Sequence, residues 1–179
     1  MTEEQLFQLL LALLPSVVVL LVTVILIKRF LAGREQEQRT ALSAEVRKED
    51  RRHTLPLRLQ AYERLTLFLE RISPGYLVLR VHKSHMTAGM LHDELTATVR
   101  EEFEHNVTQQ IYVSDRAWQK TRQAKEETIR LINMAYAQSG DGPTATDVSQ
   151  RIFEMVGRLS HTPSEEAMVV IKDEVRKLF

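Results

Sequence analysis

Residues 87–111, TAGMLHDELTATVREEFEHNVTQQI, decide how this chain folds. Leu91, Leu95, Val99, Phe103, Val107 and Ile111 recur at every fourth position, while Glu101, Glu102 and Glu104 fall mostly off that row. Such spacing places the apolar side chains on one helix face, whereas a half-buried strand would alternate. The ladder predicts one long amphipathic helix starting near Thr87.

Toward the C-terminus, Val113-Ser114-Asp115 breaks the register, with Ser114 as an N-cap. The helix that follows, 115–138, carries Trp118, Ile129, Leu131, Ile132, Ala135 and Tyr136. Small residues at Ala117, Thr121, Ala124, Thr128 and Ala135 let a neighbour approach closely. Ser139–Thr144, SGDGPT, is the clearest loop. Thr144-x-x-Asp147 opens a helix with Val148, Ile152, Met155, Val156 and Leu159. Thr162-Pro163-Ser164-Glu165 combines an N-cap, Pro at the first helical position and Glu at the third. The last helix is expected to bury Met168, Val169, Ile171, Val175 and Phe179.

Toward the N-terminus, Pro56 suits a first helical turn, and Leu59, Tyr62, Leu65, Leu69 and Ile72 follow at helical spacing. Residues 76–82, YLVLRVH, would have no partner as a lone strand. They are expected to form a short extended segment or a helical turn on the core. Residues 33–53, GREQEQRTALSAEVRKEDRRH, are too polar for a core face and predict a solvated helical stalk, with disorder as the second reading.

Residues 6–27, LFQLLLALLPSVVVLLVTVILI, carry no charge. As a helix this run is about 33 Å long, matching a hydrocarbon core of ~30 Å. Its Leu, Ile, Val and Phe residues favour insertion by about 5–10 kcal/mol before polar costs. Glu3 and Glu4 stand where a signal peptide would be basic, so cleavage is not expected. Lys28 and Arg29 lead the basic residues that follow the run and mark a membrane boundary. The expected organisation is an extracytoplasmic tail (1–5), a transmembrane helix (6–27), a charged juxtamembrane stalk (28–54) and a helical cytoplasmic domain (55–179). The fold class is all-α, ending in a bundle of about five helices.

Composition narrows the chemistry. Six Gly and five Pro among 179 residues are about half the ordinary share of ~12%, which favours long helices over a meandering sheet. Equal numbers of basic and acidic residues, 24 each, argue against a nucleic-acid footprint. The absence of Cys removes disulfides, thiolate metal sites and Cys nucleophiles.

Two stretches, LPLRLQAYERLTLFLERISPGYLVLRVH (55–82) and REEFEHNVTQQIYVSDRAWQKTRQAKEETIRLIN (100–133), resemble a family of uncharacterised proteins from Gram-negative bacteria. These are short and have one N-terminal membrane helix. The resemblance implies an inner-membrane location, and it carries over no activity and no functional residue.

Each chemical constellation has a plainer reading beside it. Glu102-x-x-His105 has the spacing of di-iron bundle ligands, but such a site needs a second pair, which the sequence lacks. His105 and Asn106 are instead expected to cap or bridge helices, with Glu101 or Glu102 as partners. His82 and His85 lack a full tetrahedral ligand set and read as a solvated connector. His92-Asp93 reads as a surface pair. Ser73, Ser84 and Ser114 occupy turn or cap positions, outside any G-x-S-x-G motif. Gly140-x-Gly142 lacks the phosphate-loop Lys and is a turn.

No catalytic, metal or cofactor residue is therefore assigned, and an enzyme is not expected. Tyr112 and Trp118 flank the break at Ser114 and read as core aromatics or as a partner-contact pair. The expected function is an inner-membrane-anchored interaction or scaffold protein. Its expected partners are the lipid bilayer and a protein, a second copy of the chain included. An accessory subunit of a membrane enzyme or transporter is the alternative, and an enzyme site assembled across an oligomer is the third reading.

Overall fold

Six α-helices and one 3-10 helix make up the described part of the chain, with a single isolated bridge between Thr87 and Thr144 and no strand. The computed structural model describes the backbone of residues 3–179, and side chains at Glu3, Glu4, 19–29, Glu45, Glu49 and 52–179. The elements are α1 (Glu3–Ile72), α2 (Pro74–Val81), α3 (Ala88–Glu104), a 3-10 helix (Val107–Ile111), α4 (Asp115–Ala137), α5 (Ala145–Gly157) and α6 (Pro163–Arg176). The chain divides into two units, 1–53 and 54–179.

In the first unit, most side chains of the apolar run 6–27 lie outside the described residues. Among the described residues, no helix is long and apolar enough to cross a membrane. Where side chains are described, from Val19 to Ile27, the large apolar ones are exposed. Pro56 does not begin a helix as its sequence context suggests. It lies inside α1, where its missing N–H leaves the Arg52 carbonyl without the usual donor four residues on.

The core belongs to the second unit. Ala61, Tyr62, Leu65, Phe68, Leu69 and Ile72 line one face of α1 and are buried. Each fully buried Leu or Ile there contributes about 1.5–3 kcal/mol. The 76–82 run is helical: Ser73 and Pro74 start α2, which buries Leu77, Val78 and Val81 against α3 and α5. Pro74 at the first position costs nothing, because its absent N–H would have no helical acceptor. α4 is the hub, packing against α3, α5 and α6. Its small residues Ala117, Thr121, Ala124, Thr128 and Ala135 are all buried.

Three parts of the core pattern come out differently from their periodicity. α3 stops at Glu104, so Val107 and Ile111 leave the stripe and are 38% and 72% exposed. Two bonds stop the helix: the Asn106 N–H donates to the Phe103 carbonyl (3.0 Å), and Asn106 Nδ2 donates to the Glu102 carbonyl (2.8 Å). The tighter 3-10 turn that follows buries Gln109 instead. On α6, Val169 faces outward between buried Met168 and Val170. Phe179 lies past the end of α6 and is 87% exposed, leaving Leu178 to pack on the core. Tyr136 is also exposed on the surface of α4, and Leu159 is exposed past the end of α5.

The starts of α3, α4, α5 and α6 follow their sequence signals. Thr87 accepts from the Met90 N–H, and Ser114 from the Ala117 N–H. Thr144/Asp147 and Thr162/Glu165 form complete capping boxes. Hydrogen bonds from the Thr144 hydroxyl and N–H hold the Asp147 carboxyl below its ordinary value. Those from the Thr162 N–H and hydroxyl do the same for Glu165.

A fragment spanning 54–179 should fold alone, with a helical far-UV spectrum and one cooperative thermal transition, since its core is internal. In that fragment Thr162→Ala should cost about 1 kcal/mol in urea unfolding. Depressed carboxylate pKa values stabilise the fold above the unfolded-state value, and this is lost as pH falls through the folded-state value. The wild-type advantage over Thr162→Ala should therefore shrink below the ordinary carboxylate range. An advantage that grows on acidification would exclude the capping carboxylate as its source.

Candidate functional site

Tyr112 and Trp118 take separate places in the fold. Trp118 is half-buried and stacks on Phe103, with centroids 5.2 Å apart and planes at 27°. Phe103 meets the edge of Phe68 at 5.9 Å, and Lys125 Nζ lies 4.5 Å from the Phe103 ring centroid. Trp118 thus belongs to an aromatic stack on the core. Tyr112 caps the 3-10 helix and is 37% exposed, and its carbonyl accepts from Arg58 Nε at 3.3 Å. It borders a shallow hollow of about 350 Å³ with Arg58, Ile111 and Ser114. Lys28 and Arg29 lie in α1 with exposed side chains.

Beside that hollow sits a polar junction that periodicity does not reveal. The Tyr62 hydroxyl donates to Glu174 Oε2 at 2.8 Å, and the Ser114 hydroxyl approaches both Glu174 oxygens at 2.6 and 2.7 Å. Burial and the Glu174 carboxylate raise the Tyr62 phenol above its ordinary value, so it stays a donor near neutral pH. Ser114 meanwhile caps α4. One carboxylate on α6 thus ties together α1, the start of α4 and its own helix.

The remaining polar candidates settle into structural roles. Glu102 Oε1 accepts from Arg71 Nε at 3.0 Å and Arg80 Nη1 at 3.1 Å, bridging α1, α2 and α3. His105 is an exposed C-cap of α3, and among the described residues no group of three acidic or imidazole side chains could hold a metal ion. His82 is no solvated connector, because it caps α2 and its Nδ1 lies 3.2 Å from the buried Ser149 hydroxyl of α5. That hydroxyl also donates to the Ala145 carbonyl at 2.9 Å, which makes it a tie between helices. His85 is exposed. His92 goes further than a surface pair: it meets Asp93 at 2.9 Å, reaches Asn133 of α4 at 2.8 Å and lies over the Tyr136 ring at 4.7 Å. Ser73 precedes α2 without a side-chain cap bond.

A groove of about 380 Å³ lies between α1 and α6. Leu69 and Met168 form its floor and exposed Val169 one wall, with Glu70, His161 and Lys172 at the rim. Among its polar side chains, Ser164 bonds Thr162 at 3.1 Å and the Glu165 carboxylate holds the Thr162 cap. An apolar floor with a charged rim suits a docked side chain or helix better than bond chemistry.

The described residues form an all-α fold. The chain belongs to the DUF7935 family, a family of unknown function whose pattern matches residues 4–178. No curated protein matches the chain, and no solved structure does.

Glu174→Ala should destabilise the 54–179 fragment by about 2 kcal/mol, because it strands two hydroxyls that donate to a charged acceptor. Thr128→Val tests the opposite case. The Thr128 hydroxyl is buried on α4 without a partner among the described residues, whereas Thr121 donates to the Ala117 carbonyl. Thr128→Val should be neutral or stabilising by up to about 1 kcal/mol, and Thr121→Val destabilising. Chemical denaturation of the three variants checks the order.

Proposed function

We propose that this protein is a membrane-anchored interaction protein, with α1 as the anchor and residues 54–179 as the binding domain. The observation that carries the anchor is the exposed apolar surface of α1 from Val19 to Ile27. Val19, Leu20, Leu21, Val22, Val24, Ile25, Leu26 and Ile27 step round the whole helix, leaving no polar face for water. A helix apolar on every side needs either a protein core or lipid around it. The only described hydroxyl in this stretch, Thr23, donates to the Val19 carbonyl at 2.8 Å, an arrangement that suits a medium without water. Lys28 and Arg29 follow at the end of the run, as stop-transfer residues do.

By the positive-inside rule the helical domain faces the cytoplasm and the anchor spans the inner membrane once. The binding role is supported by the α1–α6 groove and by side chains devoted to joining helices rather than to chemistry. An accessory subunit of a membrane enzyme or transporter is the second reading. It is favoured by the small pair Ala12 and Ser16, whose side chains lie outside the described residues.

Carbonate extraction of membranes should leave the full chain in the pellet, and a C-terminal alkaline phosphatase fusion should be inactive while a fluorescent-protein fusion glows. Release of intact protein by carbonate would remove the anchor, and active phosphatase would reverse the orientation. Replacing the run 6–27 with poly-Leu separates the two readings. Retained function fits a plain anchor, and loss with intact insertion fits an accessory subunit.

A further inference from the structure

We infer that the hollow between α1 and the end of α3 is a binding site for a phosphate group. Its walls come from Arg64, Leu67, Phe68 and Arg71 on one face of α1, and from Glu102 and His105 at the end of α3. Two guanidiniums, Arg64 and Arg71, line it against one carboxylate, Glu102, whose Oε1 accepts from Arg71 and also from Arg80 of α2. The charges are not balanced by that carboxylate. Arg64 has no partner among the described residues, and Arg71 engages only Nε, leaving both terminal nitrogens with donors to spare. Arg80, outside the lining, is committed elsewhere: Nη1 goes to Glu102, Nη2 to the Arg71 carbonyl at 3.3 Å, and its buried Nε has no partner among the described residues. This fixes the Glu102 carboxylate, which in turn orients Arg71.

The free donors and the size of the hollow choose the ligand. At about 190 Å³ it is smaller than the ~300–1,000 Å³ of pockets for extended organic ligands, and it suits one compact anion. Guanidinium forks fit phosphate oxygens two at a time, and His105 adds a further donor at the rim. A free phosphate and a lipid headgroup share this chemistry.

The test is isothermal titration of the full chain with inorganic phosphate, chloride holding ionic strength constant. A parallel titration uses dihexanoyl phosphatidic acid, a short-chain lipid below its micelle concentration. Saturable binding of either should weaken by about tenfold or more in Arg64→Gln, in keeping with loss of a charge-assisted pair. Arg64→Lys should fall between, and Arg130→Gln, on the surface of α4, should match wild type. Arg64 is exposed and unpartnered, so the far-UV spectrum of Arg64→Gln should be unchanged and the loss read as binding. Tighter binding of the lipid would identify a headgroup site, and equal binding a free phosphate site. Absence of saturable binding by the wild type in both titrations, or equal weakening by Arg64→Gln and Arg130→Gln, would overturn the assignment.

Discussion

The helical domain depends on how closely other helices can approach α4. A helix that packs against three others cannot carry large side chains on every side without holding them apart. α4 meets this constraint with Ala117, Thr121, Ala124, Thr128 and Ala135, all buried. Because these side chains are short, α6 can pack closely along α4, and α3 and α5 find room beside it. The large apolar volume is supplied from outside: Leu91, Leu95 and Val99 from α3, Ile152 from α5, and Met168 and Ile171 from α6. Large against small across an interface is how a core reaches native density without strain.

Polar contacts then set the register that apolar packing leaves loose. Burying a hydrophobic face is tolerant of small slides, whereas a hydrogen bond of 2.6–2.8 Å is not. Glu174 fixes α6 against α1 and the start of α4, Glu102 fixes α1 and α2 against α3, and Ser149 with His82 ties α5 to α2. Each link lies at a helix end or beside one, where it does not interrupt the apolar interior. The same placement leaves donors of the Arg71 cluster at a surface hollow.

Local signals were legible wherever the chemistry is local. Ser114, Thr144 and Thr162 cap the helices they precede because their hydroxyls need only the N–H groups two or three residues on. The small stripe on α4 was equally visible, since a helix repeats its faces at fixed intervals. Periodicity misled at Val107 and Ile111, where the sequence continues an i+4 row that the chain does not follow. Asn106 ends the helix through bonds to Phe103 and Glu102, and a repeat of apolar letters carries no record of that competition. Periodicity also misplaces Val169, because hydrophobicity alone does not say which side of α6 meets α4, and Phe179, because α6 ends before it. The YLVLRVH run was ambiguous for a related reason, as only the neighbouring α3 and α5 make a helix of it.

The sequence by itself determined an all-α chain, its helix starts, its loop at Ser139–Thr144 and the uncharged run 6–27. These follow from charge, periodicity and bonds that reach no further than four residues. Only the tertiary structure decided that Tyr62 and Ser114 meet on Glu174, and that Arg64 and Arg71 border one hollow with Glu102. Tyr62 and Glu174 are 112 residues apart, and no local rule relates them. They are joined because burying the apolar faces of α1, α4 and α6 together leaves one place where a phenol, a hydroxyl and a carboxylate can satisfy one another.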